Sequence, residues 1–505
     1  MVKVNSLTTL RESGKSDELI VPQKQPNKGL QGPAEAVEGR GSIKRNAKQD
    51  AGTPAQNGIS ATSRLLRVRQ VAAKDRRTQF TSLFHHLTRT LLTDSFYKLK
   101  RRSTPGVDGL SWQAYAQGLD ERLIRLLHSL HSGSYRPTPA RRIQIPKADG
   151  SLRPLSILCV EDKLVQQATV TLMQHIYEED FLGFSYGFRP GRGQHDALDA
   201  LYVGIKRRKV NWVLDLDIRK FFDRVEHDWL ITFIQHRIKD KRLIRLLTQW
   251  MKVGHYDEDG RHVRSARGVP QGAVISPLLA NIYLHYCMDL WINQWRKRQT
   301  SGDVIVVRYA DDAVLGFQRK DDAEAFLSQL HQRLDRFGLS LNEDKTKLIR
   351  FGRFARKDCA TAGLPKPESF DFLGFTHSCA VLRDRRTFML LRQTSVSRTR
   401  RTRRTLHSVK DGLYRNRHRP VGEQKRWLAA VMRGHLNYFA VPGNVIRVSR
   451  FHTELGKLWM KALRRRSQRY RLVWARFGQF LRDALPQPRV VHPWPNKRFD
   501  GIHSR

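Results

Sequence analysis

Apolar residues recur near the helical period from Ser63 onward, first as Leu65, Val68 and Val71, then as Phe80, Leu83, Phe84, Leu87 and Leu91. That spacing gives each helix one apolar stripe to bury, so folded structure is expected to begin there. Between about residues 100 and 380 the pattern changes. Turn-bounded apolar runs such as Trp212 to Leu216 and Val304 to Arg308 are set among amphipathic stretches, which predicts an α+β arrangement. After about residue 390 strands fade, and arginine-laden helical stretches follow over Ser395 to Leu413, Glu423 to Phe439 and Phe451 to Leu485. Trp427, Tyr438, Phe439, Trp459 and Trp474 within them are expected mostly to fill an interior. No repeat of about 20 to 50 residues is visible, which argues against a solenoid.

Composition changes this picture at the N-terminus and in the choice of partner. Residues 1 to about 62 hold no aromatic residue and are rich in Gly, Gln, Asn, Ser and charge; such a segment buries too little surface to offset chain entropy, so a disordered arm is expected. The 505 residues are too many for a single core, so several packed units are expected. Lys and Arg total 92 against 47 Asp and Glu, a net charge of +45, and a field of that sign gathers polyanions. Nucleic acid is the partner this favours. A small structural binder seldom carries such a core, and no stretch reaches the roughly 18 apolar residues a membrane span needs. Cys159, Cys287, Cys359 and Cys379 are widely spaced with no CxxC, which suits reduced thiols rather than a zinc ribbon or disulfide framework. The first residues lack a basic segment followed by an apolar one, so secretion is not expected. A bacterial cytoplasmic, nucleoid-associated location is expected, with an organellar address left open.

Two acidic sites carry the chemistry. In Trp212-Val-Leu-Asp-Leu-Asp-Ile-Arg-Lys-Phe-Phe-Asp223 a β-favouring run turns helical, and strand alternation puts Asp215 and Asp217 on one face. In Val304-Ile-Val-Val-Arg-Tyr-Ala-Asp-Asp-Ala-Val-Leu-Gly-Phe317 two adjacent acids interrupt apolar runs, as at the tip of a hairpin. An Asp-Asp pair in a turn is usually an ordinary solvated tip. Here two such sites share strand contexts, and carboxylates crowded between buried strands call for a divalent cation. Oxygen ligands shared between two cations about 4 Å apart suit phosphoryl transfer, with Asp217 and Asp311 as the bridges.

Further blocks surround these two. They are Thr104-Pro-Gly-Val-Asp-Gly109, Ile145-Pro-Lys-Ala-Asp-Gly-Ser-Leu-Arg-Pro-Leu155, Tyr186-Gly-Phe-Arg-Pro190, Gly268-Val-Pro-Gln-Gly272 with Ser276-Pro-Leu-Leu-Ala-Asn281, Leu339-Ser-Leu-Asn-Glu-Asp-Lys-Thr346 and Phe370-Asp-Phe-Leu-Gly-Phe375. In this order, over roughly residues 80 to 498, the chain resembles the reverse transcriptase-maturases encoded by group II introns, of the bacterial type that lacks an endonuclease domain.

The resemblance implies an α+β right-hand polymerase, with fingers and a palm built on an antiparallel sheet, followed by an α-helical thumb, or maturase X domain. Its boundaries are expected as a polar arm over 1–62, N-terminal helices and fingers over 63–210, the palm over 211–380, the thumb over 381–485 and a tail over 486–505. It implies Asp217, Asp311 and Asp312 as the catalytic triad. Two Mg²⁺ ions, with Mn²⁺ as the alternative, would be held by these three and the carbonyl of Ile218. Lys147 and Arg153, which flank a hairpin turn, are implied to meet the incoming deoxynucleoside triphosphate, though a solvated basic hairpin is the plain alternative. Phe222 is implied as a steric gate against the ribose 2′ hydroxyl, with a core Phe as the rival reading. Gln271 beside Gly272 is expected at the nucleotide or template, and Lys345 as a general acid for pyrophosphate or simply a solvated lysine. Asp215, Asp223, Glu343 and Asp344 receive no metal role and are read as structural.

Arg398, Arg400, Arg401, Arg403 and Arg404, with Arg464, Arg465, Arg466, Arg469 and Arg471 further on, are expected to face RNA, since like charges at that density need phosphates beside them. Arg433-Gly-His-Leu-Asn-Tyr-Phe439 resembles the maturase signature. Expected partners are the parent group II intron RNA in a ribonucleoprotein, target DNA, an RNA template with a DNA primer, and dNTPs; monomer and dimer both stay open. After His492-Pro-Trp-Pro495 there is no Cys pair and no His-Asn-His-like segment. Second-strand cleavage by this chain is therefore not expected, and priming from a nascent strand at a replication fork is. Two other functions stay open: the reverse transcriptase of a retron, diversity-generating or CRISPR-linked element, and a maturase that only assists splicing.

Overall fold

The computed structural model describes residues 61–146, 152–381, 388–466 and 472–502. Nearly all of the arm read over 1–62 lies outside these residues, as do Lys147, Arg469 and Arg471, and the side chains of Arg398, Arg400 and Arg401 lie outside them too.

Four helices lead: α1 (Ala61–Lys74), α2 (Arg89–Lys98), α3 (Trp112–Ala116) and α4 (Leu119–Ser132). Their starts are local: Thr88 and Ser111 oxygens accept the Leu91 and Ala114 amides at α2 and α3, satisfying donors that a helix end leaves free. Next come an antiparallel ribbon, β1 (Ala140–Pro146) and β2 (Leu152–Ile157), and two long helices, α5 (Val160–Tyr177) and α6 (Gln194–Arg207). The strand β3 (Trp212–Asp217) then runs into a short turn of helix α7 (Phe221–Arg224), followed by α8 (His227–Gln235), α9 (Lys241–Lys252), β4 (His255–Tyr256) and β5 (His262–Val263). Helix α10 (Ser276–Leu284) passes through a π-helical turn, His285–Asp289, into α11 (Leu290–Arg298). The hairpin β6 (Val304–Tyr309) and β7 (Asp312–Phe317) leads to α12 (Lys320–Asp335), β8 (Lys347–Arg350), α13 (Ala355–Thr361), β9 (Ser369–Phe372), β10 (Phe375–Val381) and β11 (Phe388–Thr394). Among the described residues five helices come last: α14 (Val396–Arg415), α15 (Val421–Phe439), α16 (Val445–Arg464), α17 (Trp474–Ala484) and α18 (Pro495–Ile502).

The site rests on one sheet of order β6-β7-β3-β8, every neighbouring pair antiparallel. Strand alternation divides its side chains between two apolar layers. Leu214, Leu216, Val304, Val306, Ala313, Leu315 and Phe317 join a large core shared with α1, α2, α5 and α8 to α12. Val213, Ile305, Val307 and Val314 face a second core with α6 and β9 to β11. Asp215 and Asp217 share the parity of Val213, and Asp312 that of Val314, so all three acids sit on the second face. β1 and β2 extend into a separate sheet with β4 and β5, of order β2-β1-β4-β5, and β11-β10-β9 form a third.

Three expectations change in the basic half. The stretch read as one helix over Phe451 to Leu485 is two, α16 and α17. Three consecutive arginines, Arg464 to Arg466, mark the break: cations favour a helix C-terminus, and Arg464 donates Nε to the Leu472 carbonyl at 2.6 Å. That arginine, expected to face RNA, ties the chain's own backbone instead. Of the five aromatics assigned to the interior, Trp459 is fully buried, but Trp427 and Trp474 are 38% and 41% exposed. Tyr438 and Phe439 pack toward the palm rather than into the thumb alone: Tyr438 donates its hydroxyl to the Leu373 carbonyl at 2.6 Å and stacks on Phe375.

The chain's last described segment returns to α6. Val491 and His492 amides reach the Ala440 carbonyl at 2.9 and 3.2 Å, Phe499 is buried in the second core, and Arg498 pairs with Asp196 and Asp199 at 2.8 and 2.9 Å. Asp199 also meets Arg392 of β11 at 3.0 Å, both nearly buried. Removing one partner of a buried ion pair strands the rest. Asp199→Ala is therefore expected to lower stability by about 3 kcal/mol in chemical denaturation, while an exposed pair such as Lys457 with Glu454 is expected to matter by under about 1 kcal/mol.

Candidate active site

Tyr309 and Asp312 are paired across β6 and β7, so Ala310 and Asp311 alone make the turn. Ala310 adopts φ +59°, a left-handed conformation that costs a residue with a Cβ roughly 1 kcal/mol and so needs holding. β3 lies on the other side of β7 with Asp217 opposite Asp312. Directly opposed residues hold their Cβ atoms roughly 5 Å apart. The strand end and the hairpin tip thus bring Asp217, Asp311 and Asp312 together, as the sequence pattern predicts.

Like charges at this spacing leave a signature. Asp312 is pushed up to about 7, by loss of hydration and then by the Asp311 and Asp217 charges, with Lys345 opposing. Asp311 is raised by burial and then by Asp217, with Arg153 and Arg308 opposing. Asp215, read as structural, belongs to the same patch: burial, then Asp312, Asp217 and Asp371, push it up to about 7. Its alternation with Asp217 was the available signal. Asp217 is held on its Oδ2 by the Asn342 side chain at 3.0 Å and by Lys345 at 3.3 Å. Lys345, expected near pyrophosphate, thus pairs with a carboxylate of the triad.

The Ile218 carbonyl is implied as a further ligand. Ile218 itself is buried, and its backbone is fixed where it bridges Leu341. Lysine, guanidinium and amide groups gather on the facing side. Arg153 of β2 stands across from Ile145 and donates Nε to Gln271 Oε1 at 2.9 Å, while Gln271 Nε2 donates to Asp223 at 3.3 Å. Asp223 therefore orients Gln271, a role that sequence reading missed. Gly272, at φ +105°, lets this loop lie against β2: an added Cβ would stand 2.7 Å from the Ser156 carbonyl. Phe222 is half-buried against the large core, and its carbonyl accepts the Val269 amide at 2.8 Å.

The donor chemistry fits a divalent cation. Among the described residues no group of three or more His, Cys, Asp or Glu side chains is gathered so as to hold a metal ion by itself. Carboxylates on adjacent strands suit a hard divalent cation that completes its shell with waters and phosphate oxygens rather than a closed protein cage. In the metal-free protein the raised Asp312 favours the fold when protonated, so its contribution is present below about pH 4 and lost as pH rises through 7. Added Mg²⁺ is expected to raise the melting temperature more at pH 7.5 than at pH 5.5, because protons and cation compete. Asp312→Asn should lose most of that increment in a thermal-shift titration.

Residues 145–377 match the family described as reverse transcriptase (RNA-dependent DNA polymerase). Protein YkfC of Escherichia coli strain K12 is 37% identical over 279 residues, covering 49% of this chain and 73% of that protein. The group II intron-encoded protein LtrA of Lactococcus lactis subsp. cremoris is 37% identical over 218 residues, 41% of this chain and 34% of LtrA. The chain is a reverse transcriptase of the group II intron-encoded family.

An uncharacterised 91 kDa protein in the cob intron of Schizosaccharomyces pombe is 38% identical over 201 residues, 39% of this chain and 24% of that protein. The chain thus spans about a third or less of LtrA and the yeast protein. As a reverse transcriptase it has the right-hand polymerase fold, acts as an RNA-directed DNA polymerase on a nucleic-acid template, and works with divalent metal ions. Among the described residues no helix is long and apolar enough to cross a membrane.

Proposed function

We propose that this reverse transcriptase binds its parent group II intron RNA, assists its splicing and copies it into DNA during retrohoming. The observation that carries the catalytic part is the pairing of Asp217 with Asp312, with Asp311 at the tip between β6 and β7. Asp217, Asp311 and the Ile218 carbonyl would hold two Mg²⁺ ions, with Asp312 completing the triad. Bound there, the cations supply charge to stabilise the attacking primer oxygen and the departing pyrophosphate.

The chain's own groups bind and orient. Arg153, exposed on the ribbon, takes the triphosphate, since a planar fork matches phosphate oxygens; Lys147, expected from the sequence to join it, lies outside the described residues. Gln271, fixed by Arg153 and Asp223, faces the nucleotide, and the Phe222 ring crowds the 2′ position. Lys345, paired with Asp217 at 3.3 Å, would serve as the acid for the departing pyrophosphate. Arg403, Arg404 and Arg465 are exposed on α14 and after α16 and bind the RNA, as Arg398, Arg400, Arg401 and Arg469, which lie outside the described side chains, are expected to do from the sequence. Arg464, tied to the Leu472 carbonyl, contributes less.

The test is purification of the ribonucleoprotein from its native host, sequencing of the bound RNA, and primer extension on that RNA with dNTPs and Mg²⁺. The expected result is one enriched intron RNA and full-length complementary DNA from it. Enrichment of a structured non-intron RNA points to another retroelement, and intron binding without extension points to splicing alone.

A further inference from the structure

Arg308 immediately precedes Tyr309-Ala-Asp-Asp312, and its side chain is wholly buried beneath that turn. A guanidinium has five N–H donors, and here each meets an acceptor. Nε and Nη2 grip the two oxygens of Asp289 at 2.7 and 2.5 Å. Nη2 also reaches Ser185 Oγ at 2.7 Å. Nη1 donates to Asn281 Oδ1 at 3.0 Å and to the carbonyl of Ala310 at 2.7 Å. The last contact matters most, because Ala310 is the left-handed corner from which Asp311 projects.

Two of these partners sit at unusual local features, Ala310 at its left-handed corner and Asp289 at a π-helical turn. Asp289, also wholly buried, closes the π-helical turn His285–Asp289, and such wide turns concentrate at functional places. Asn281 ends the Ser276-Pro-Leu-Leu-Ala-Asn281 block and donates to the Gly187 carbonyl at 2.7 Å, so replacing it removes that donor as well as the acceptor for Arg308. The backbone of Arg308 pairs with Phe184 and Tyr186 at 2.8 Å on each side. Three blocks of the sequence thus converge on one guanidinium. Stability alone is a poor reason for the pair, since apolar replacements of buried ion pairs are often neutral or stabilising.

We propose that Arg308, held by Asp289, is a positioning residue that fixes the Ala310 carbonyl and so sets where the Asp311 carboxylate stands for the cations. The inference rests on the reading of Asp311 as a cation-binding carboxylate. Lysine cannot replace the fork, because one ammonium offers three donors and no plane.

Three variants test it: Arg308→Lys, the paired replacement Arg308→Met with Asp289→Leu, and Asn281→Ala, which removes one acceptor of the guanidinium together with the donor to the Gly187 carbonyl; Ser185→Ala, which removes one acceptor alone, runs beside it and is expected to move the same readouts. Each is compared with wild type for single-nucleotide addition rate, half-saturating Mg²⁺, template–primer affinity, melting temperature and, without metal, hydrogen–deuterium exchange over residues 305–314. A displacement of about 1 Å at a reacting centre costs on the order of a hundredfold in rate. The first two variants are expected to lose about that much, and Asn281→Ala about tenfold. All should need several times more Mg²⁺ and exchange faster around 310, with template–primer affinity within about twofold of wild type. Folded variants with wild-type rate, Mg²⁺ requirement and exchange overturn the proposal. Should the first two not fold, Asn281→Ala and Ser185→Ala decide on the same readouts. Asp311→Ala runs beside them: if it stays active the site itself is misassigned, whereas if it is dead and the Arg308 variants are normal, only the positioning role falls.

Discussion

Asp311→Ala is expected to lower primer extension by about a thousandfold or more, the order of loss when a principal electrostatic group leaves a reacting centre, without loosening the fold. Asp311 is held above the usual carboxylate range by burial and by Asp217. At neutral pH its charge is therefore carried at some expense to the folded state, and alanine removes that expense. The variant should melt at the wild-type temperature or higher and should bind template–primer normally. A steady-state extension assay with a thermal melt checks both halves. A dead enzyme that also melts much earlier would point to a structural role instead.

Gly187→Ala is expected to cost about a hundredfold in extension rate from outside the triad. A Cβ there would stand 2.2 Å from the Ala310 amide nitrogen, and backbone cannot swing aside as a flexible side chain can. The hairpin tip must shift, and Asp311 with it. Overpacking of this kind typically costs about 1 to 3 kcal/mol of stability, so the variant should still fold. Rate measured at saturating and limiting Mg²⁺ separates a displaced tip, which high Mg²⁺ partly restores, from a poorly folded protein, which it does not.

The parts of the site that sequence displays are those built from short-range pattern. β3 ending at Asp217, the tight turn at Asp311 and the ribbon carrying Arg153 all follow from alternation and turn chemistry within about ten residues. What stayed hidden depends on distant partners. Arg308 reads as one more cation in a very basic chain until Asp289, Asn281 and Ser185 close around it. The π-helical turn has no composition cue. Asp215 and Asp223 look redundant beside Asp217, and only neighbours on other strands and loops give them work. Trp427 was misplaced for a related reason: helical periodicity marks an apolar face, and that ring lies across Gly412 of α14 at the surface rather than inside.

The return of the final segment to α6 makes the basic helices a loop pinned at both ends. Their entrance is β11, through Arg392 on Asp199, and their exit is α18, through Arg498 on that same carboxylate and its neighbour Asp196. A flap hinged on one side can lift off its cargo; a loop fastened twice cannot without unbuckling one fastening. On the proposed reading that these helices hold nucleic acid, a copied strand would leave by sliding lengthwise, which favours long uninterrupted products. Shortening the chain before Arg498 would free one end and turn the strap into a flap, and the products should grow shorter.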